Sequence, residues 1–278
     1  MKLKLYYLSI FSLSLLIITS CQKTSGYTDL GGQILKQFDI TMATTNENHT
    51  VNSPYSSVTM NLQVLDSRSI NYEVFIDKAN KAGDYVTVVE IKLGDPSMVD
   101  GPLLVNLTGK FRQGWATGLV SGLRQSLIDT MLNNNIPKYI NVKTQREPLG
   151  LVRGQINANI VISNNVYLAG TNLRPAVSTI TTGLALVRIT SDYKLYSQII
   201  LSNDEVLVDP AQNANLISGN IGDNGANIMT LVSSPTNFGK SQTFPLTVKQ
   251  YEQLLSSSYY ITVASAAYPA GKIGGQVK

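Results

Sequence analysis

The stretch YINVKTQREPLGLVRGQI, residues 139–156, recurs without gaps as YITVASAAYPAGKIGGQV, residues 260–277. Strand-type and turn-type residues recur together in the two copies, which indicates an internal repeat rather than chance similarity. Each copy carries a proline two residues before a glycine, at Pro148 and Gly150 and again at Pro269 and Gly271. Proline fixes φ at about −65° and glycine accepts positive φ, so we predict a tight structural turn at both places.

The similarity continues upstream in the same order. The further matching pairs are residues 57–65 with 181–189, 71–76 with 195–200, and 101–107 with 225–231. Apolar side chains alternate with polar ones in these segments, as at Val58, Met60, Leu62 and Val64, which is typical of half-buried strands. Clusters of Gly, Pro, Asn and Asp separate the segments. We therefore predict an all-β protein with two tandem antiparallel β-sandwich repeats, immunoglobulin-like with Greek-key connections.

One short helix is expected in each repeat, just before the penultimate strand. Apolar residues recur at helical spacing from Leu119 to Leu132, and the asparagine run after them ends the first helix. In the second repeat, Thr247 and Gln250 have the spacing of a capping box. No flexible linker separates repeat 1, residues 33–156, from repeat 2, residues 157–278, so we expect the two repeats to pack rigidly.

The N-terminus predicts export. Lys2 and Lys4 precede an apolar stretch that is shorter than the ~20 residues of a membrane-spanning helix. The following Ile-Thr-Ser-Cys sequence resembles the lipobox of bacterial lipoproteins, which implies lipidation of Cys21. We interpret residues 1–20 as a signal peptide and residues 21–32 as a lipidated tether, the alternative being an ordinary signal peptide with an incidental cysteine. The expected location is the bacterial cell envelope, with a lipid anchor in the outer membrane and the facing side left open.

Cysteine usage and charge limit the remaining possibilities. Cys21 is the only cysteine, so no disulfide can form within the chain and stability must come from burial. Apart from Lys2 and Lys4, the chain has 20 basic and 18 acidic residues, a net charge of +2 without any basic run. Nucleic acid is therefore not an expected partner.

The order of motifs resembles the CHRD domain, which occurs in chordin and in many bacterial exported proteins. The first repeat has a Gly-Pro pair at Gly101, a Tyr-x-Asn-Val strand at Tyr139, and a Pro-x-Gly-x-x-Arg-Gly-Gln motif that contains Arg153. The second repeat keeps most of this pattern but has Gly274 where the arginine is expected. The resemblance implies two degenerate tandem copies of a β-sandwich recognition or scaffold module.

The departures from the family concern chemistry. The family commonly has three histidines at places that the first repeat fills with Glu90, Lys92 and Lys143. The second repeat has Asn215, Ile217 and Ala264 there. The resemblance therefore gives no metal site here, and we expect neither a metal nor a cofactor.

Three residues are candidates for binding. Trp115 and Arg112 share a segment that we place in a loop, where the indole ring would stack on a sugar or anchor a protein partner. The alternative that we favour for Trp115 is packing in the core or against the helix. Arg153 would bind a carboxylate through its guanidinium fork, but Gly274 at the matching place argues instead for a structural role of the motif.

Other polar residues have simpler interpretations. His49, the only histidine, lies in a polar run and is interpreted as part of a solvated loop, because neither a catalytic triad nor a zinc set can be assembled around it. Asp95, Asp100 and Asp223 would supply oxygen ligands to calcium, but they lack the spacing of a calcium loop and are better explained by tight turns.

Two functions follow from these observations. We favour a non-enzymatic envelope module that binds a protein or a glycan, or that acts as a scaffold. The alternative is a carboxylate-based hydrolase of the cell envelope that uses Glu90 or Asp95, although nothing in the sequence places two acids at a defined separation. The oligomeric state stays open.

Overall fold

The structure is a computed structural model that describes residues 31–53 and 57–278. Cys21, the predicted signal peptide and most of the predicted tether lie outside the described residues. Gly31–Lys278 form one compact unit. We call residues 33–156 the first half and residues 157–278 the second half.

Strands make up most of both halves, together with three short helices. The first half contains β1 (Ile34–Ala43), β2 (Ser57–Leu65), β3 (Ser69–Phe75), α1 (Asp77–Lys81), β4 (Val86–Leu93), β5 (Leu103–Asn106), β6 (Lys110–Arg112), β7 (Trp115–Val120), α2 (Gln125–Leu132), β8 (Lys138–Thr144) and β9 (Val152–Ile156). The second half contains β10 (Ile160–Ala169), β11 (Thr182–Thr190), β12 (Lys194–Ser202), β13 (Ala211–Ser218), β14 (Asn227–Val232), β15 (Ser241–Pro245), α3 (Val248–Ser256), β16 (Tyr259–Ser265) and β17 (Ile273–Gln276). Single 3-10 turns lie at Thr44–Asn46, Gly170–Asn172 and Pro235–Asn237.

Each half forms one antiparallel sheet, so the prediction of an all-β protein is confirmed. The nine strands of the first sheet run in the order β5-β4-β8-β9-β1-β2-β3-β7-β6. The eight strands of the second run in the order β14-β13-β16-β17-β10-β11-β12-β15. One sheet curves into a half-barrel and the other into a nearly closed barrel. The two orders correspond strand for strand, except that the first sheet carries β6 as an additional edge strand.

The expected pair of separate sheets in each half is not what the structure shows. Each half has a single hydrogen-bonded sheet whose two groups of strands meet at one residue pair, Ala43 with Arg153 in the first half and Ala169 with Gly274 in the second. An asparagine holds each junction, since the side-chain amide of Asn46 donates to the Arg153 carbonyl and that of Asn172 to the Gly274 carbonyl. The short junction lets both groups contribute to one core without separating into two sheets.

Each half has its own hydrophobic core. The inward residues of β2, Met60, Leu62 and Val64, are fully buried, whereas the residues between them lie at the surface or partly exposed. The first core draws on β1 to β5 and β7 to β9 together with α2, and the second draws on the matching strands and α3. Sheet alternation therefore accounts for the packing of both halves.

The two predicted helices have different outcomes. The capping box of α3 is present, with the Thr247 hydroxyl accepting from the Gln250 backbone N–H and the Gln250 side chain accepting from Thr247 N–H. In the first half the expected helix is present as α2 and ends at Leu132, but its expected start at Leu119 is wrong, because Leu119 lies in β7 and α2 begins only at Gln125. Pairing of β7 with β3 over six residues outweighs the helical spacing. Among the described residues, no helix is long and apolar enough to span a membrane.

Direct polar contacts join the halves. The Ser163 hydroxyl donates to the Thr45 carbonyl at 2.6 Å, and the Ser241 hydroxyl donates to Asp95 Oδ2 at 2.6 Å. Arg188 of β11 reaches the segment after β1, where its Nη2 donates to Asn48 Oδ1 at 2.5 Å. These contacts hold the two halves together, and the one between Arg188 and Asn48 is buried.

Candidate functional site

Trp115 and Arg112 face each other across the β6–β7 hairpin. They are directly paired residues of the two strands, and the guanidinium carbon of Arg112 lies 5.0 Å from the centroid of the Trp115 ring. Trp115 is half-buried at the sheet surface, outside the buried core, which corrects the packing that we favoured for it. The loop expected around Trp115 is likewise corrected to a strand hairpin.

Strand β3 adds two further side chains on the same face. Phe75 is paired with Trp115 and is 46% exposed. Glu73, two residues earlier, accepts a hydrogen bond from Trp115 Nε1 at 3.3 Å. Because directly paired residues and residues two apart share a sheet face, these four side chains form one surface, which we call the aromatic strip: Glu73, Phe75, Arg112 and Trp115.

The chemistry of the aromatic strip suits a flat ligand with hydroxyl groups. The exposed Phe75 ring and the half-buried indole, over which Arg112 lies, offer apolar contact area, and the carboxylate of Glu73 and the guanidinium of Arg112 offer an acceptor and donors beside them. The cation–π contact and the Glu73 hydrogen bond hold the indole ring in place. A preorganised aromatic surface of this kind can stack against a sugar ring or anchor a protein side chain.

Arg153 has a different role from the one considered for it. Its side chain is 1% exposed, and its Nη1 and Nη2 atoms donate to the backbone carbonyls of Met98 and Asp95 at 2.9 and 3.0 Å. The guanidinium also lies over the Tyr139 ring, 3.5 Å from its centroid. A ligand in solvent cannot reach this group, so the binding role considered for Arg153 is replaced by support of the loop after β4.

Glu47 is a buried acid that sequence reasoning did not single out. It is 2% exposed and accepts hydrogen bonds from Asn141 Nδ2 at 2.9 and 3.2 Å. Burial raises the pKa of Glu47 to about 7, against the opposing effect of the nearby guanidinium groups of Arg153 and Arg188. The only sequence signal was its place in a polar run, which indicated a solvated loop.

His49 packs against this acid and is partly exposed to solvent. Its Nε2 lies 3.1 Å from the carbonyl of Gly150, and its Nδ1 lies 3.7 Å from Glu47 Oε2. His49 therefore lies in a loop, as expected, but its side chain is only 26% exposed. Arg188 closes the network from the second half, and burial, together with the charge of Arg153, lowers the pKa of Arg188 to about 9.

The three places where the family resemblance implies histidines come together on β4 and β8. Glu90 Oε2 lies 3.0 Å from Lys143 Nζ and 3.5 Å from Lys92 Nζ, and Lys92 also contacts Asp100 at 2.5 Å. Opposite charges thus replace the histidines, and each carboxylate has a cation beside it. Over residues 31–53 and 57–278, no group of three His, Cys, Asp or Glu side chains could hold a metal ion.

The acids considered for calcium take part in turns and ion pairs. Asp95 Oδ1 accepts from the backbone N–H groups of Ser97 and Met98 at 2.9 and 3.1 Å. Asp223 Oδ2 accepts from the backbone N–H of Asn220 at 2.8 Å. The side chains therefore stabilise the backbone of their own loops, as in Asx turns.

Both Pro-x-Gly segments turn through positive φ. Gly150 has φ +151° and Gly271 has φ +150°. Their surroundings differ, because a Cβ added at Gly150 would lie 2.5 Å from Asn141 Nδ2 and 2.7 Å from Glu47 Oε1, whereas a Cβ at Gly271 would meet nothing closer than 3.4 Å. The turn at Gly150 therefore lies tightly against Glu47, whereas the turn at Gly271 has space for a Cβ atom.

A broad cleft of about 500 Å³ runs along the boundary between the halves. Half of the lining residues carry amides or hydroxyl groups, as Asn157, Tyr196 and Thr243 do, and Asp95, Asp192 and Lys194 add charged groups. It holds no exposed aromatic platform, since Tyr196 is 9% exposed. The aromatic strip is therefore the stronger candidate for ligand contact.

Comparison with known families gives one match. Residues 165–277 match the CHRD domain, which covers nearly all of the second half. No curated protein and no solved structure matches the chain.

Proposed function

We propose that this chain, whose residues 165–277 match the CHRD domain, is a lipid-anchored envelope protein that binds a glycan without catalysing a reaction on it. Its first half would be a second, more divergent copy of the same domain. The matching strand orders of the two sheets support this assignment, as do the equivalent junction asparagines Asn46 and Asn172.

The aromatic strip is the observation that carries the binding proposal. Phe75 and Trp115 are paired across β3 and β7, so two aromatic rings lie side by side on one sheet face, Phe75 46% exposed and Trp115 half-buried. Arg112 and Glu73 fix the indole ring and also leave donors and an acceptor beside it. A pyranose ring presents an apolar face and a rim of hydroxyl groups, which matches this arrangement. A protein partner is the other ligand class that the strip would accept.

A hydrolase is less well supported. The Glu90 carboxylate is held between Lys92 and Lys143, and Asp95 accepts hydrogen bonds at both of its oxygens. Both acids therefore have structural partners. Turnover of an envelope glycan that disappears in the Glu90→Gln variant would reverse this ranking.

Binding can be measured through Trp115 itself, because it is the only tryptophan of the chain. We expect glycan-array positives to change the intrinsic fluorescence of the full-length protein. Because Trp115→Ala removes the fluorescent side chain, the variants are compared by titration calorimetry. Trp115→Ala should weaken binding by about tenfold or more, as for an aromatic anchor, and Glu73→Gln should have a smaller effect. Tyr167→Ala is the matched control, since Tyr167 is 61% exposed on β10 of the second half. Glycan binding that survives Trp115→Ala would refute the aromatic strip as the binding site. A glycan array without positives, together with an envelope protein whose binding requires Trp115, would favour a protein ligand.

The anchor has a separate test. Labelled fatty acid should enter the wild-type protein and not the Cys21→Ser variant, which should stay unprocessed or be released as a soluble product. Equal labelling of both proteins would overturn the lipoprotein assignment without affecting the binding proposal.

A further inference from the structure

One glutamine of the closing motif has different hydrogen-bond partners in the two halves. Gln155 of β9 and Gln276 of β17 hold equivalent places. Each Nε2 atom donates to the carbonyl of the glycine after a matching strand, that of Gly94 at 2.9 Å and that of Gly219 at 3.3 Å. The Oε1 atom of Gln276 also accepts from the backbone N–H of Ile221 at 2.9 Å. Over the residues that the structure describes, the buried Oε1 atom of Gln155 has no hydrogen-bond partner.

A proline accounts for the missing partner. Ile221 is the second residue after Gly219, and the second residue after Gly94 is Pro96, which has no backbone N–H. The first half therefore lacks the donor that the second half supplies from its own chain. Because buried polar atoms are nearly always hydrogen-bonded, the Gln155 oxygen points to a donor that is not part of this chain.

Gln155 lies in the wall of two adjoining cavities. One is the cleft of about 500 Å³ at the boundary between the halves, and the other, of about 270 Å³, lies against residues 37–40 of β1. Both are lined by Gln155, Asn157 and Ala158. The smaller cavity lies where β1 and β9 separate beyond their single residue pair. We call the two together the boundary cleft, and its volume is in the range of ligand pockets.

The charged groups of the larger cavity already have partners within the protein. Asp192 pairs with Lys194, whose Nζ lies 2.6 Å from the carboxylate. Asp95 accepts hydrogen bonds at both of its carboxylate oxygens. The amides and hydroxyl groups of the boundary cleft are therefore the groups that remain for a ligand, and they suit a polar ligand without net charge.

Two exposed side chains of the boundary cleft can both donate and accept. Asn157 lies in the connection between the halves, and Thr243 lies on β15, on the sheet face that points away from the second core. An amide and a hydroxyl group each offer a donor and an acceptor. Together with the Gln155 oxygen they form a row of groups that complements the alternating N–H and C=O groups of a peptide backbone.

We propose that the boundary cleft binds an extended peptide segment, one of whose backbone N–H groups donates to Gln155 Oε1. The second half shows that this group fits, because there the equivalent glutamine oxygen accepts from a backbone N–H, that of Ile221. The neighbouring backbone groups of the bound peptide pair with the Asn157 amide and the Thr243 hydroxyl. This site is separate from the aromatic strip and takes a different class of ligand.

A glycan is the less suitable occupant of the boundary cleft. The aromatic residues that line it are closed off, since Phe38 is 7% exposed and Tyr196 is 9% exposed. A sugar ring would therefore find hydroxyl partners but no aromatic surface on which to place its apolar face. A peptide backbone does not need such a surface.

Random peptides displayed on phage test the proposal without assuming a peptide sequence. The library is selected on the full-length protein in nonionic detergent, and synthetic copies of the selected peptides are measured by titration calorimetry. We expect peptides that bind the wild-type protein and that the following variants weaken.

Pro96→Ala should weaken peptide binding by about fivefold or more, because the new backbone N–H can donate to Gln155 Oε1 and close the site from within. Asn157→Gly should also weaken binding, and it keeps the backbone conformation because glycine accepts the φ of +79° found there. Pro269→Ala is the matched control, since Pro269 lies in an exposed turn outside the boundary cleft and should leave binding unchanged.

Three results would overturn peptide binding in the boundary cleft. They are a selection that yields no peptide, a set of peptides that neither Pro96→Ala nor Asn157→Gly weakens, and a trimer of N-acetylglucosamine that binds instead and is weakened by Pro96→Ala. The last result would assign the boundary cleft to glycans. Circular dichroism of each variant should match the wild type, so that a loss of binding is not a loss of folding.

Discussion

The two halves place buried charge at different points of corresponding sheets. In the first half Glu47 and Arg153 lie in the interior, and the matching residues of the second half are Leu173 and Gly274. A Cβ added at Gly274 would lie 2.6 Å from Leu173 Cδ2, so the leucine occupies the space next to the missing side chain. The change therefore involves both residues together, from a charged pair to an apolar one.

Two residues before Arg153 and Gly274 the difference is reversed, because there the second half has the buried charge and the first half has an apolar residue. Leu151 of the first half corresponds to Lys272 of the second, and both are fully buried. The lysine is accompanied by three acids of the loop between β12 and β13, Asp204, Glu205 and Asp209. A buried charge in either half thus comes with its partners, because an unpaired charge would be costly in the interior. The strand framework tolerates such a cluster at more than one place.

The largest effect is expected from removing Arg153. The Arg153→Gly variant removes the guanidinium that most strongly opposes the effect of burial on Glu47, and it removes one donor each from the Asp95 and Met98 carbonyls, so the free energy of unfolding should fall by about 3–5 kcal/mol. Adding Glu47→Leu copies the second half and should recover part of this loss. Denaturant unfolding measures both variants. A loss below about 1 kcal/mol in the single variant would contradict a paired interior.

The acid itself should make stability depend on pH. The pKa of Glu47 is raised from 4.5 to about 7, so between these values the folded protein binds a proton that the unfolded chain has lost. This proton stabilises the folded protein fully below pH 4.5, and the stabilisation is lost as pH rises through 7. The free energy of unfolding falls by roughly 3 kcal/mol in total. Glu47→Gln should remove this part of the pH dependence in melts between pH 4 and 8. An unchanged profile would show that the ionised form is well accommodated.

The two Pro-x-Gly turns should differ in their tolerance of a side chain. Gly271→Val should cost about 1–3 kcal/mol, because a β-branched residue is strained at positive φ. Gly150→Val should cost more, because the new side chain also meets Asn141 and Glu47. Thermal melts of the two variants test this difference. Equal losses would show that backbone strain alone matters, and an unchanged midpoint for both would show that neither turn is structural.

The smallest change in stability is expected from the N-caps of α2 and α3. Thr247 caps α3 in a capping box, whereas the N-cap of α2 is Arg124, which makes no side-chain cap hydrogen bond. Thr247→Ala should therefore lower the free energy of unfolding by about 1 kcal/mol, and Arg124→Ala should leave it nearly unchanged. The difference between the two denaturation midpoints measures the cap. Equal shifts would mean that tertiary packing, not capping, holds α3.

Local patterns predicted much of the fold. The alternation in β2, the turn glycines and the cap at Thr247 each depend on residues close in sequence, so the sequence was enough to find them. The segment from Leu119 failed because its helical spacing competed with pairing to β3, which depends on residues about 50 positions away. Two residues of the aromatic strip, Arg112 and Trp115, could be predicted together because they are near neighbours in sequence. Phe75 could not, because only the pairing of β3 with β7 brings it next to Trp115.

The sequence by itself determined the repeat of motifs, the strand content and the positions of the turns, and it predicts a lipidation signal at Cys21. These features arise from periodicity, backbone preference and short motifs, which act over a few residues. Only the tertiary structure decided that Glu47, Arg153 and Lys272 are buried, that Trp115 stays at the surface, and that a cleft opens at the boundary between the halves. Burial and charge pairing depend on which distant segments meet, and a one-dimensional pattern does not contain that information.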